Sequence, residues 1–166
     1  MIPSVRLVRR STDSSAIPVG GGVVSNTAAG IVLQVPAGSF DAPRSLALTP
    51  LSGQTLPALL PRGWSPLQAI SVEFEGTAGA PLGLSLRPWD AVLADERITF
   101  VRWNPDDFRW DTVASLTGGG GMANLNFAVS TAGTYAAVVA DRVGNSPPAA
   151  ELGEPLRGLE GLPGAA

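Results

Sequence analysis

Carboxylates are the side chains in this sequence with the clearest chemical potential. Asp106, Asp107 and Asp111 follow one another closely in the second half of the chain. Carboxylate oxygens grouped on a loop suit Ca²⁺, because this ion takes about six to eight oxygen ligands in a flexible geometry. The three aspartates are therefore a candidate Ca²⁺ site. Three more acids precede them: Asp90, Asp95 and Glu96.

The same stretch also has the composition of a turn. In Asn104-Pro105-Asp106-Asp107, proline presets φ, and Asn or Asp side chains bond to their own backbone. The stretch lacks the glycine and the distal glutamate of a Ca²⁺-binding loop. We therefore favour a turn and predict no metal and no cofactor, with Ca²⁺ as the alternative.

Two glutamates, Glu73 and Glu75, have the residue type of a glycoside hydrolase acid and base, whose separation decides the stereochemical route. They lie two positions apart, so on a β-strand they share one face. Alternation places that face opposite Val72 and Phe74, which are apolar. We therefore predict that both glutamates point into solvent from a strand.

Three residue types that carry much of enzyme chemistry are missing from the sequence. The chain has no histidine and no cysteine, and its 11 basic side chains are all arginine. Without imidazole there is no base that titrates near neutral pH unaided. Without imidazole or thiolate the usual zinc, copper, haem and iron–sulfur ligands are missing. Without lysine no Schiff base forms. The sequence therefore predicts a protein that is not an enzyme.

Tryptophans are the remaining candidates for ligand contact, since carbohydrate-binding modules use exposed aromatic rings. Trp64 and Trp89 lie beside a glycine and a proline in predicted loops, so we take them as the candidate ligand-binding residues. Trp103 and Trp110 flank the acidic turn at a separation that would pair them across a hairpin. For that pair we favour packing in the core or across the hairpin.

Apolar residues recur at every second position over most of the chain, which is the pattern of half-buried β-strands. Turn-forming stretches separate these runs, in keeping with 20 Gly and 15 Pro. About eight such strands predict an all-β fold, an antiparallel β-sandwich of immunoglobulin-like architecture. The residues expected inside are Ile70, Val72, Phe74, Leu84, Leu86, Phe127 and Tyr135.

Composition divides the chain into three parts. Residues 1–19 read as an N-terminal lead, residues 20–142 as the β-sandwich domain, and residues 143–166 as a Pro/Gly-rich linker or disordered tail. Pro and Gly recur too often in the last part for a continuous apolar face. We therefore expect the chain from about Asn145 onward to add no stability to the domain.

The charge pattern limits the partners. The net charge is −3 and no basic stripe occurs, so we expect no nucleic-acid partner. The longest apolar runs, such as residues 136–140, are too short to span a bilayer. The first ten residues lack the apolar stretch of a signal peptide. This leaves two explanations: a cytoplasmic protein, or a domain of a longer exported chain.

Read in order, the central residues resemble the β-sandwich "ZU" domain family of the spectrin-binding region of ankyrins and the netrin receptors. The most specific match is Val35-Pro-Ala-Gly-Ser-Phe40, and the resemblance covers roughly residues 20–140. It implies a β-sandwich of the kind found as modules in large secreted or surface proteins of bacteria. Some relatives cut themselves at a His-Phe-Ser step, which this chain lacks. The other matching stretches are Gly22–Val24, Gly30–Val35, Leu46–Pro50, Phe100–Trp103, Trp110 and Gly133–Val139.

These patterns favour a non-catalytic structural or interaction module of a larger exported or cell-surface bacterial protein or assembly. We expect it to dock neighbouring domains or subunits through loops or a sheet edge, because loops on a rigid scaffold carry binding and unpaired edges accept strands. The alternative is a carbohydrate-binding module that uses exposed tryptophans and the loop carboxylates, with a glycan as the partner.

Overall fold

The computed structural model describes residues 14–141 and 152–158, and these residues form an all-β, antiparallel structure. The only helical element among them is a 3₁₀ turn over Gly53–Thr55. No helix in the described residues is long and apolar enough to cross a membrane. The strands are β1 (Ser14–Ile17), β2 (Gly22–Asn26), β3 (Ile31–Val35), β4 (Arg44–Leu51), β5 (Trp64–Leu86), β6 (Arg97–Asn104), β7 (Arg109–Thr117) and β8 (Leu125–Ala140).

The predicted all-β fold of about eight antiparallel strands is confirmed. Six strands follow the order β1-β4-β5-β8-β6-β7, and β3 joins β2 to the second half of β5. The pairing of β1 with β4 places a strand at Ser14–Ile17, inside the predicted lead. Residues 1–13 of the predicted lead lie outside the described residues. The divisions at residues 19 and 142 stay predictions.

β5 and β8 run beside each other for most of their length. Their register is regular from Gln68 to Val72 and again from Leu82 to Leu86, with irregular pairing between the two stretches. Gly76 lies in this irregular part with φ of 79°, a conformation that L side chains rarely adopt. The first half of β5 pairs on its other side with β4 and the second half with β3. Through β4 and β3, β5 therefore also holds β1 and β2 in the sheet.

One apolar cluster takes residues from both halves of β5 and β8. Ile70 and Val72 come from the first half of β5, and Leu84 and Leu86 come from the second half. Phe127 and Tyr135 are also buried in it, as predicted. Phe74 differs, because it is only half-buried and packs edge-on against Phe40 at 5.4 Å between ring centroids.

A second apolar cluster lies on the opposite face of β4, β5, β8 and β6. Ala136 and Val138 of β8 belong to it, while Tyr135 and Ala137 belong to the first cluster. The stretch Tyr135–Val139 of β8 is therefore buried on both faces. The other buried members are Leu51, Trp64, Ala69, Val101, Trp110 and Leu156.

Residues Leu152–Gly158, which we call the docked segment, lie against β7. Thr112 N–H donates to the Glu154 carbonyl at 2.9 Å, and Gly153 N–H donates to the Thr112 carbonyl at 2.8 Å. Leu156 is buried in the second cluster. Main-chain pairing needs no continuous apolar face, so these contacts argue against the expectation that the chain after Asn145 adds no stability, which stays a prediction.

Gln68 is a buried polar residue that ties three backbone segments together. Its Nε2 donates to the Ala29 and Arg87 carbonyls at 3.2 and 3.1 Å, and its Oε1 accepts the Ala69 N–H at 2.9 Å. The side chain is only 1% exposed. It therefore joins the β2–β3 turn to both ends of β5 without leaving its own polar groups unsatisfied.

Replacing Gln68 with leucine should lower the free energy of unfolding by about 1–3 kcal/mol, because the Ala29 and Arg87 carbonyls would lose their donor. Urea unfolding followed by tryptophan fluorescence measures this loss. Gln34 is exposed on β3 and provides the matched control, since Gln34→Leu should change stability by less than about 0.5 kcal/mol. Equal losses in the two variants would contradict the bridging role.

Candidate functional site

The turn between β6 and β7 is built by one asparagine. Asn104 Oδ1 accepts the backbone N–H groups of Asp106 and Asp107 at 3.1 and 3.3 Å. Its Nδ2 donates to Asp107 Oδ2 at 3.2 Å and to Asp111 Oδ2 at 2.9 Å. The predicted turn chemistry is therefore present, and the asparagine holds two of the three candidate carboxylates in place.

Arg109 lies between the same two carboxylates. Its Nε donates to Asp111 Oδ1 at 2.8 Å, and its NH2 lies 3.3 Å from Asp107 Oδ2. Asp107 and Asp111 therefore face a guanidinium and an amide, both hydrogen-bond donors. Asp106 is exposed at the turn. The carboxylates that the sequence placed together thus form part of an ion-paired hairpin.

The described residues contain no group of three or more acidic side chains arranged to hold a metal ion. The upstream acids do not join the hairpin acids. Asp90 and Asp95 are exposed, and Glu96 Oε2 accepts the Leu93 N–H at 3.0 Å within its own loop. The Ca²⁺ alternative for Asp106, Asp107 and Asp111 therefore gains no support from this geometry.

An aromatic cluster covers one side of the hairpin. Trp103 and Trp110 are paired in register across it, with ring centroids 5.4 Å apart and planes at 61°. The predicted cross-hairpin pair is therefore confirmed. Phe108 extends the cluster at 6.4 Å from Trp103. This ring is 81% exposed, although an apolar side chain of that size is normally at least partly covered.

The backbone of Phe108 is strained. Its φ is 51°, in the left-handed region that bulky residues rarely adopt. Such a residue costs of the order of 1 kcal/mol, and outliers of this kind concentrate at sites of function. Neither burial nor a hydrogen bond of its side chain compensates for this cost. Exposure and strain at one aromatic residue therefore mark the hairpin tip as a candidate contact surface.

The two tryptophans predicted to bind a ligand have different surroundings. Trp64 is only 7% exposed, and its Nε1 donates to the Arg157 carbonyl at 2.8 Å. Its ring packs in the second apolar cluster and offers no free face for stacking. Trp89 is 46% exposed in the loop after β5. Ligand binding at Trp89 stays a prediction.

Glu73 and Glu75 also differ in burial. Glu75 is exposed, with its carboxylate 3.8 Å from Arg44. Glu73 is half-buried, although the sequence predicted a solvent-exposed side chain. Both line an open groove of about 770 Å³ beside β4 and β5, and Glu73 also lines a smaller one of about 250 Å³.

The edge of β7 is the second part of the site. We call Trp110–Thr112 the acceptor edge, because its outward N–H and C=O groups pair with the docked segment. Leu156 N–H donates to the Trp110 carbonyl at 2.7 Å, and Asp111 lies opposite Pro155 in an antiparallel bridge. An incoming backbone is thus held by the edge and by an apolar pocket for Leu156. Strand addition of this type is a common mode of peptide recognition.

Some buried polar atoms of β6 and β7 are not satisfied. Thr99 Oγ1, Thr112 Oγ1 and Trp110 Nε1 are buried and have no hydrogen-bond partner in the part of the chain that the structure describes. Thr112 and Trp110 belong to the acceptor edge itself. Buried polar groups without partners cost about 1–3 kcal/mol each, so this arrangement is less favourable than a fully paired one.

Sequence reasoning missed the docked segment because its pairing depends on backbone atoms, which leave little trace in side-chain pattern. Leu156, Leu159 and Leu162 recur every three residues, but Gly158 and Gly161 between them disfavour a helix. A segment held by main-chain pairing needs no helical periodicity. Pro155 also fits, since it stands opposite a position that needs no N–H from it.

Comparison with protein-family models finds no match for this chain, and comparison with curated proteins finds no similar sequence. The resemblance to the "ZU" domain family therefore stays a prediction.

Leu156→Ser should lower the free energy of unfolding by about 2 kcal/mol, because it removes a buried leucine from the second cluster. Leu152 is 68% exposed in the same segment, so Leu152→Ser is the matched control and should have an effect below about 0.5 kcal/mol. Chemical unfolding of both variants gives the two values. A neutral Leu156→Ser would show that the docked segment is not part of the stable fold.

Phe108→Gly should raise the free energy of unfolding by about 1 kcal/mol, because glycine adopts positive φ without strain and the lost ring is exposed. Thermal unfolding by calorimetry measures the change. Asp106→Gly, in the same turn but without positive φ, should be neutral or destabilising. A destabilised Phe108→Gly variant would mean that the ring contributes packing that outweighs its strained backbone.

Proposed function

We propose that the chain is a non-catalytic interaction module that holds a neighbouring polypeptide by strand addition at the acceptor edge. The observation that carries this proposal is that Trp110–Thr112 already binds the docked segment through three main-chain hydrogen bonds and an antiparallel bridge at Asp111. Main-chain bonds do not depend on the side chains of the incoming strand, and the pocket of Leu156 adds selectivity for an apolar residue.

The architecture proposed for this module is an immunoglobulin-like β-sandwich. Both halves of β5 and of β8 contribute to one apolar cluster, which is the arrangement that two packed layers would produce. Tyr135 OH also donates to the Thr131 carbonyl at 2.6 Å. This bond resembles the tyrosine corner of immunoglobulin-like domains, in which a tyrosine hydroxyl bonds to backbone a few residues upstream.

The hairpin tip extends the docking surface beyond the edge. Phe108 lies next to Trp103, whose other neighbour is Trp110 of the acceptor edge. A partner strand on the edge would therefore reach an exposed aromatic ring. Aromatic residues are enriched where protein interfaces bind most tightly. The setting we propose is a larger exported or cell-surface bacterial protein, in which neighbouring domains or subunits are the partners.

The proposal requires that a free peptide bind the edge when the docked segment is weakened. The full-length Leu156→Ser variant would be titrated with a peptide of the native sequence, Glu-Leu-Gly-Glu-Pro-Leu-Arg-Gly, and followed by backbone amide NMR. We expect chemical-shift changes at the Trp110–Thr112 amides and at the Trp64 indole, with a dissociation constant of about 10 μM to 1 mM.

The control is a peptide in which serine replaces the leucine at position 156, and it should bind at least about tenfold more weakly. Shifts that map to other strands, or the same affinity for both peptides, would refute strand addition at this edge.

Glycan binding is the second candidate function. It is favoured by the exposure of Phe108 and Trp89 and by the exposed carboxylate of Asp106 beside the former. Oligosaccharide binding that Phe108→Gly abolishes while the acceptor edge stays paired would support this function over strand addition.

A further inference from the structure

Residues 142–151 are the only covalent link between the sheet and the docked segment. The last described residue before this link is Asp141, whose N–H donates to the Gly63 carbonyl at 2.8 Å and whose carboxylate accepts the Ser65 hydroxyl. The contacts of the docked segment with β7 are backbone hydrogen bonds and one buried leucine. Nothing in those contacts distinguishes a segment of the same chain from that of another copy.

We propose that the acceptor edge can be filled by residues 152–158 of a second copy, so that two chains exchange their docked segments. This inference rests on the proposed strand addition and names the partner. The length of the link decides which copy supplies the strand. Exchange of an identical element is a low-cost route to a dimer, because every contact of the closed monomer is kept.

The strand order gives the distance that the link must span. Ala136 of β8 pairs with Val101 of β6, and Val101 pairs with Thr112 of β7. Thr112 in turn bonds to the docked segment, so three strand spacings separate β8 from that segment. Three ladder steps of about 4.8 Å across the sheet, and five residues of about 3.3 Å along β8 to Asp141, place the ends about 22 Å apart.

Ten linking residues provide eleven Cα–Cα steps, which reach at most about 38 Å when extended. The native link is therefore long enough for the chain to bind its own segment. Removing residues 144–150 leaves four steps, or about 14 Å, which cannot span that distance. In this shortened chain the segment can reach an acceptor edge only on another copy.

The test compares the shortened chain with a matched deletion of residues 149–150, whose nine steps reach about 32 Å. Sedimentation equilibrium should show that the shortened chain dimerises with a dissociation constant at least about 100-fold below that of the native chain. The matched deletion should behave like the native chain. A monomeric shortened chain would overturn the inference.

Absence of native cysteine allows the exchanged strand to be trapped. Asp111 and Pro155 face each other with hydrogen bonds on both sides, a pairing with Cα atoms about 4.5 Å apart, which suits a disulfide. Asp111→Cys and Pro155→Cys would be introduced into separate shortened chains and mixed under mild oxidation. A heterodimeric disulfide supports the exchange, and Asp106→Cys in place of Asp111→Cys should give none.

Two failures remain distinguishable. If the shortened chain stays monomeric but binds the free native-sequence peptide at Trp110–Thr112, exchange between copies is wrong and strand addition stands. If neither copy nor peptide binds, both proposals are wrong. A dimer whose dissociation constant does not rise when Leu156→Ser is added to the shortened chain would use another surface, and this result also overturns the exchange.

Discussion

The ladder between β5 and β8 is the interaction on which the remaining strands depend. β5 carries β4 on its first half and β3 on its second half, while β8 carries β6. These partners are distant in sequence, so the loop-closure entropy of bringing them together must be offset by this pairing and its burial. Gly76 and the irregular register beside it let both halves of β5 turn apolar side chains toward one core.

Burial of Tyr135–Val139 of β8 on both faces creates a second requirement. Ala136 and Val138 point away from the main core, and a sheet face of that kind must be covered. Trp64 and the docked segment supply part of this cover, with the indole of Trp64 donating to the Arg157 carbonyl. The same segment pairs with the edge of β7, so one short stretch of chain covers an apolar face and protects a strand edge.

Local alternation was sufficient to predict the strands and most of the core, because side chains on a strand alternate wherever one face is buried. It predicted Ile70, Val72 and Leu84 as buried, while the spacing of Trp103 and Trp110 about the turn predicted their pairing. It did not predict Gln68, since residues 67–70 are all buried and alternation therefore gives no signal for a buried glutamine there. The positive φ of Phe108 was equally inaccessible, because bulky residues give no signal of that conformation.

What remained hidden has a common physical origin. The docked segment is held by main-chain N–H and C=O groups, which every residue possesses except that proline lacks the N–H. Its sequence therefore needs only a leucine at position 156, and it tolerates a proline at position 155. Many sequences could therefore pair with this edge, and geometry decides which segment binds. Within one chain, the segment binds its own edge only if residues 142–151 are long enough to span the distance. Binding between chains depends on protein concentration, which must compete with the effective concentration of the segment that the same link provides within one chain.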